Sequence, residues 1–528
     1  MRSTVLNTLR WIMLALAFVA LPARAQNEKR IEDTMKRATR FMVEKVATNG
    51  GYVWSYLPDM SRRWGEMEAF PSMIWVQPPG TATMGHLFLD AYHATNDPYY
   101  YEAAEKAAAA LIAIQHESGG WHYFGDFGGE PSIRRWYDTI GKNAWRLEEF
   151  QHYWGNATFD DAGTSESMQF LLRLYVEKHD PKYLPALKKA LGFVLESQYP
   201  IGGWPQRYPL KPDFSHHGKP DYTGFITFND DVAGENIRFL IMCYQVLGGD
   251  VKVMDAITRA MNVYLVTQHG QPQPGWGLQH SLDLKPIGAR TYEPTALTTH
   301  TTAANVRQLM SFYRLTGETK FLARIPEALD WLESVKLPDD KVKNGRAYPT
   351  FIEIGTNKPL YIHRRGSNIV NGEYYADYNP DRTITHYSSF RAINVPALRK
   401  EYETLRASNP AEIAKDSPLR PGVAKPLPRY WLLDEVETSD LNTAGGKRGP
   451  DALIKSLNAQ GWWPTELRAT SNPYAGDGSP TPAPGDFGQT LVGDATDTSP
   501  HNAEKPVIGI STGTYIENMK VLIAALGR

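Results

Sequence analysis

One recurring phrase limits what this chain can fold into: a long amphipathic segment that runs to a Gln and then into a Gly-aromatic turn. YYEAAEKAAAALIAIQHESGGWHYF (Tyr100 to Phe124), KYLPALKKALGFVLESQYPIGGWPQRY (Lys182 to Tyr208) and VKVMDAITRAMNVYLVTQHGQPQPGWGLQ (Val251 to Gln279) all close this way. An earlier copy carries Gly50-Gly51-Tyr52 at the same point, and a later one, FLARIPEALDWLESVKLP, keeps the helical pattern without the glycines. Each is preceded by a second helical pattern, such as ESMQFLLRLYVEKHD or ENIRFLIMCYQVLGGD, with apolar residues three and four apart. The unit is a helix hairpin of roughly 70 to 80 residues, marked at Gln115, Gln198, Gln268 and Val335. Hairpins repeating at such a period bury their apolar faces against one another. Strand-like alternation is sparse. The expected fold is all-α: an (α/α) toroid or incomplete α/α barrel over residues 26–405. Its repeat-closing turns gather on one face, where loops on a rigid scaffold carry function.

The two ends read differently. Arg2 and Arg10 precede an apolar run from Trp11 to Leu21, and Ala23-Arg24-Ala25 offers small residues for cleavage, so residues 1–25 read as an export signal. No other stretch is apolar enough to span a membrane. The expected location is periplasmic or extracellular. Residues 406–528 are rich in Pro and Gly and are expected to pack on the toroid as an irregular extension that ends in a helix, with Ser511 or Thr512 as its cap. A net charge of -2 excludes the electrostatics of a nucleic-acid binder. Cys243 is the only cysteine, so no intrachain disulfide forms, and its apolar surroundings place it in the core. A monomer is expected.

Chemistry concentrates in QYPIGGWPQRYPLKPDFSHHGKPDYTGFITFNDDV (Gln198 to Val232). Trp204, Gln206 and Tyr208 form an aromatic and amide platform suited to sugar rings. Thr227, Asn229, Asp230 and Asp231 form an oxygen cluster suited to a hard cation such as Ca²⁺. Asp160-Asp161 is a second acidic pair. The alternative role of both pairs is to cap the helices at 164–178 and 232–246. His216-His217 reads as a polar loop, since imidazole does not suit Ca²⁺. Arg207 is either a carboxylate reader or a solvated surface charge.

The blocks GGWPQRYP (Gly202 to Pro209), ITFNDD (Ile226 to Asp231), TFDDAGT (Thr158 to Thr164) and GARTYEP (Gly288 to Pro294) resemble, in order and approximate spacing, the family 10 polysaccharide lyases. These are pectate lyases with an α/α toroid fold. The resemblance implies an exported enzyme that cleaves an acidic polysaccharide, polygalacturonate first, by Ca²⁺-assisted β-elimination. It assigns the base to Arg290, cation binding to Asp160, Asp161, Asp230 and Asp231, and a substrate carboxylate to Arg364 or Arg365. Asp161 stands where the family has Asn. A guanidinium is normally protonated, so Arg290 as base requires added positive charge and exclusion of water; its other roles are a salt bridge to Glu293 or a carboxylate fork.

Three other classes fit parts of the pattern. The QxxxGxW turns occur in squalene-type terpene cyclases, but no DxDD acid motif is present. An α/α-toroid glycoside hydrolase could use the two acidic pairs as acid and base. A non-catalytic uronate-binding protein could keep the groove alone.

Overall fold

A computed structural model describes residues 25–527 apart from 145–146, 212–214, 217–218, 366–372, 385–386, 421–422, 424, 434–439 and 472–499. The export segment expected at 1–25 falls almost wholly outside the described residues. Four helix hairpins follow one another as the repeats require. Thr81–Thr95 packs on Pro98–Ala113, Gly163–Lys178 on Leu184–Ser197, Val232–Val246 on Val251–Thr267, and Thr299–Thr316 on Ile325–Ser334. The first helices of the first three hairpins pack side by side with most of their residues buried, whereas the second helices bury one stripe. This is the inner and outer ring of an α/α toroid. The last helix, Thr512–Ala525, packs against Thr81–Thr95 and so sits in the ring itself. Ser511 caps it by accepting from the backbone N–H of Thr514 at 3.0 Å.

The Gln and Trp of the recurring phrase are the fasteners between repeats. Gln198 Nε2 donates to the carbonyl of Gly202, closing its own turn, and to the carbonyl of Ala256 in the next outer helix (3.0 and 2.9 Å). Gln115 does the same with Gly119 and Ala186. Each Trp turns inward and donates its indole N–H to the helix before it, Trp121 to Leu111, Trp204 to Val194 and Trp276 to Tyr264. Gly202 has φ +112°, and a Cβ there would lie 2.1 Å from the Arg259 carbonyl oxygen, so only glycine lets the turn approach that helix.

The two ends of the chain meet in a five-stranded antiparallel sheet. Its order is Thr465–Ser471, Pro500–Ser511, Ser55–Tyr56, Arg63–Trp64 and Glu68–Ala69. Cys243 is buried in the core as expected, and burial pushes its thiol well above the usual range.

Candidate active site

Two equivalent turns deliver the acidic residues. Strand Ala157–Thr158 leads through Phe159 into Asp160–Ala162, and strand Ile226–Thr227 leads through Phe228 into Asn229–Asp231. The Thr of each strand donates its backbone N–H to the preceding repeat's Trp carbonyl, Thr158 to Trp121 at 2.8 Å and Thr227 to Trp204 at 3.0 Å. Asp160 therefore corresponds to Asn229, and Asp161 to Asp230. In both turns two consecutive non-glycine residues take left-handed backbone, Asp161 and Ala162 (φ 50° and 56°) and Asp230 and Asp231 (φ 49° and 51°). Such conformations cost of order 1–3 kcal/mol each and persist where the surroundings impose them. No side chain caps either following helix, so the capping role is not the one these carboxylates take.

Arg290 joins them. It is 4% exposed, and its guanidinium meets three carboxylates: Asp160 Oδ2 at 2.5 Å, Glu293 Oε1 at 3.0 Å and Glu149 Oε2 at 3.2 Å. Glu293 also accepts the backbone N–H of Arg290 at 2.9 Å, which closes the Arg290-to-Glu293 turn on itself. The hydroxyls of Tyr123 and Tyr387 donate to Asp160 and Glu293 at 2.5 and 2.7 Å. Glu148 and Glu149 hold the same turn from the other side, Glu148 accepting from Thr291 and Glu149 from the Tyr292 hydroxyl.

A cavity of about 620 Å³ opens beside this cluster, lined by Asp161, Asn229, Asp230, Asp231 and Arg290. Six further ionisable residues line it that the sequence reading had not singled out: Glu66, Glu149, His300, Tyr387, Arg391 and Asp440. None lies near a recognisable motif, and only a Glu-Glu doublet at 148–149 offered any signal.

The electrostatics are unbalanced toward the acid side. Burial works to raise Asp160, but the Arg290 charge and the hydrogen bond from Tyr123 outweigh it, and its pKa falls below the usual range. Asp161 has no cation beside it, only the Gln77 amide: burial and then the charges of Asp160, Asp230, Glu66 and Glu149 push it well up. Burial and Glu149 push Glu66 up to about 8. Burial opposes the charge on Arg290, yet Asp160, Glu149 and Glu293 together hold it well above its ordinary value. The guanidinium is cationic in this arrangement.

These residues fit a hard cation by donor chemistry. All candidate ligands offer oxygen, negative charge exceeds what Arg290 offsets, and Asp160 Oδ1 is buried without a hydrogen-bond partner. They are not preassembled: among the described residues no group of three or more His, Cys, Asp or Glu side chains is arranged to hold a metal ion.

The sugar platform expected in GGWPQRYP is corrected by its packing. Trp204 is 0% exposed and its ring fills the core between repeats, so its face offers nothing to a ligand. Tyr208 is half-buried and packs edge-on against Phe193. Gln206 is buried beside Asp160, and Thr227 is buried with its hydroxyl donating to the Phe225 carbonyl at 3.0 Å. Asn229 does line the cavity, where its amide donates to Asp230 at 2.6 Å. Arg207 is no surface charge: it is wholly buried between the rings of Tyr123 and Trp154, 5.2 and 5.3 Å from their centroids. Arg364 and Arg365 end the strand Pro359–Arg365, and their side chains lie outside the described residues, as do those of His216 and His217.

Residues 125–377 match the family model described as pectic acid lyase. The matched segment is that of a polysaccharide lyase. The matched segment contains both acidic turns and Arg290, and the rest of the chain extends it on both sides. No curated protein matches at a significant level. Among solved structures, the lyase resembles a variant of the family 10 polysaccharide lyase from Cellvibrio cellulosa in complex with trigalaturonic acid, at 18% identity over 61% of this chain and 98% of that one, with a TM-score of 0.41. It is also similar to cellobiose 2-epimerase from Spirochaeta thermophila, at 11% identity over 96% and 98% of the two chains, with a TM-score of 0.42. The glycoside hydrolase family 76 α-mannanase from Bacteroides thetaiotaomicron follows, at 9% identity over 95% of each chain and a TM-score of 0.38. At these values the likenesses assign no chemistry.

Proposed function

We propose that this polysaccharide lyase is exported and cleaves a uronic-acid polymer, polygalacturonate first among them, by Ca²⁺-assisted β-elimination. The observation that carries the reading is Arg290, held among Asp160, Glu149 and Glu293 at the edge of a cavity whose floor is acidic. β-Elimination takes the proton from C5, breaks the bond from C4 to the glycosidic oxygen and leaves a double bond between C4 and C5. Its barrier falls when charge developing on the C6 carboxylate is neutralised. When bound, Ca²⁺ supplies that neutralisation, with Asp160, Asp161, Asp230 and Asp231 as the residues that would hold it.

The chain's own groups do the rest. Arg391, in the same cavity, is the second cation available to the substrate carboxylate. Asp160 is the shortest partner of Arg290, at 2.5 Å. A cation held by Asp160 would draw that carboxylate away from Arg290 and place positive charge beside it, which would lower the guanidinium's pKa toward the range where it could take the C5 proton, against the pull of Glu149 and Glu293. Glu293, Glu148 and Glu149 keep the loop in place. Among the described residues no helix is long and apolar enough to cross a membrane, which accords with export of the processed chain.

A spectrophotometric screen over uronic-acid polysaccharides, with and without Ca²⁺, tests this. Rising ultraviolet absorbance from unsaturated products is the expected result, strongest on polygalacturonate and abolished by chelation. A hydrolase would release saturated products with no absorbance change, and unaltered rates in EDTA would remove Ca²⁺ from the reaction.

A further inference from the structure

The family segment ends at 377 and begins at 125, yet the cavity does not belong to it alone. Trp54, Glu66, Arg391, Asp440 and Leu441, all outside the segment, line it too. Two devices bring them there. The first is the hairpin between strands Arg63–Trp64 and Glu68–Ala69. Gly65 lies flat on the indole of Trp75, where a Cβ would come within 1.9 Å of the ring, and this close approach swings Glu66 into the cavity. Gln77 then ties the hairpin to the acidic floor: its Nε2 donates to Glu66 at 2.8 Å and to Asp161 at 2.9 Å, while its carbonyl accepts the indole N–H of Trp54 at 2.9 Å.

The second device is the turn at 440–443. Asn442 Oδ1 accepts the backbone N–H groups of Arg468 and Ala469 at 2.8 and 2.9 Å, and its Nδ2 donates to the Ala469 carbonyl at 2.7 Å. Asp440 in turn accepts the Asn442 N–H at 2.9 Å. The turn is thereby fixed on strand Thr465–Ser471, and it presents Leu441, 70% exposed, to the cavity. Hairpin and turn rest on the same five-stranded sheet built from the two chain ends. The wall they make is hydrogen-bonded backbone, not a loose loop.

Its chemistry differs from that of the opposite lining. The two described arginines of the cavity, Arg290 and Arg391, come from other elements; the wall offers the exposed apolar side chain of Leu441, backed by the buried Trp54, and the acids Glu66 and Asp440. A uronate carboxylate finds its cations, Arg290 and Arg391, on elements other than this wall. Acid and amide groups beside an apolar ledge suit the hydroxyls and ring face of a terminal sugar.

We propose that this wall closes one end of the polysaccharide groove and makes the enzyme end-acting: it binds the terminus of a uronate chain and releases short unsaturated products of one size. The proposal rests on the lyase reading above. A cavity of about 620 Å³ falls in the ~300–1,000 Å³ range of pockets that enclose small ligands, whereas mid-chain cutting needs a cleft open at both ends.

The test is product sizing against time on the preferred polymer, with viscosity recorded in parallel. Ultraviolet absorbance is expected to rise while viscosity barely falls, with one short product from the earliest time. A ladder of intermediate oligomers and an early collapse of viscosity would overturn the wall, while leaving the lyase reading intact. Absence of any absorbance change on every uronate polymer would instead sink the lyase reading and this proposal with it. Leu441 is exposed, so substitution there leaves folding unaffected. Leu441→Gly is expected to shift preference from short oligomers toward polymer by about tenfold in kcat/KM, and Leu441→Trp to shift it the other way. An unchanged preference in both variants would remove Leu441 from the wall and contradict the proposal.

Discussion

Two buried arginines face buried acids in this molecule, and they teach opposite things. Arg173 pairs with Asp90 at 2.5 Å between two inner helices. The rest of Asp90 is satisfied by the backbone N–H groups of Trp431 and Leu432, and Arg173 also donates to the carbonyls of His86 and Arg429. One charge meets one charge, every described contact serves to hold the C-terminal segment across the ring, and Trp431 stacks on His86 at 4.9 Å with an interplanar angle of 1°. Arg290 meets three carboxylates, and Asp161 and Glu66 add acid for which the only close described partner is the neutral Gln77 amide. Balance marks a structural fastening. Imbalance at equal burial marks a site that awaits charge from outside.

The sharpest way to break this contrast is to remove each arginine. Arg290→Ala is expected to lower kcat by about 10³-fold or more with circular dichroism unchanged; activity that survives would reduce Arg290 to a structural ion pair. Arg173→Ala is expected to cost about 3–5 kcal/mol by leaving Asp90 charged and alone. Its readout is the midpoint of denaturant unfolding, and kcat per folded molecule should stay near that of the parent. Asp161→Asn, which restores the residue usual in the family, should weaken Ca²⁺ about tenfold by calorimetry. It should also raise the melting temperature of the metal-free protein at alkaline pH, where the Asp161 carboxyl would otherwise ionise against burial and the neighbouring acids. A lower melting temperature would mean that Asp161 is already well paired.

The smallest effect is a pH slope. Glu66, at about 8 in the folded chain against 4.5 unfolded, binds more protons folded than unfolded across that interval. Its contribution is fully present below about 4.5 and is lost as pH rises through 8, with a slope of up to about 1.4 kcal/mol per pH unit. Metal-free protein should therefore lose stability from pH 5 toward 8, and Glu66→Gln should flatten that decline. Asp440, raised by burial to about 7, adds to the same slope and remains in the variant.

The helical repeat was legible because it is written locally. Spacing of three and four and a Gln-to-Trp turn specify a hairpin and its fastening within one repeat and its neighbour. The acidic turns and Arg290 were legible too, since each lies in a short recognisable block. The role of Trp204 was misread for a reason the repeat itself supplied: Trp121 and Trp276 stand at the same place in their own repeats and do the same packing. A tryptophan in a turn looks alike in sequence whether its ring faces solvent or the next helix. Glu149 and Arg391 escaped because no local pattern surrounds them.

By itself the sequence determined a toroid of helix hairpins, the order of its turns and the acidic and basic blocks of a polysaccharide lyase. Only the tertiary structure decided what those blocks face. Asp160 and Arg290 lie 130 residues apart and meet at 2.5 Å, while Glu66 and Asp440 reach the same cavity from opposite ends of the chain. Periodicity is a property of neighbours along the chain and survives in the one-dimensional text. Convergence depends on how the ring closes, and the sheet that brings the two chain ends together exists only once it has closed.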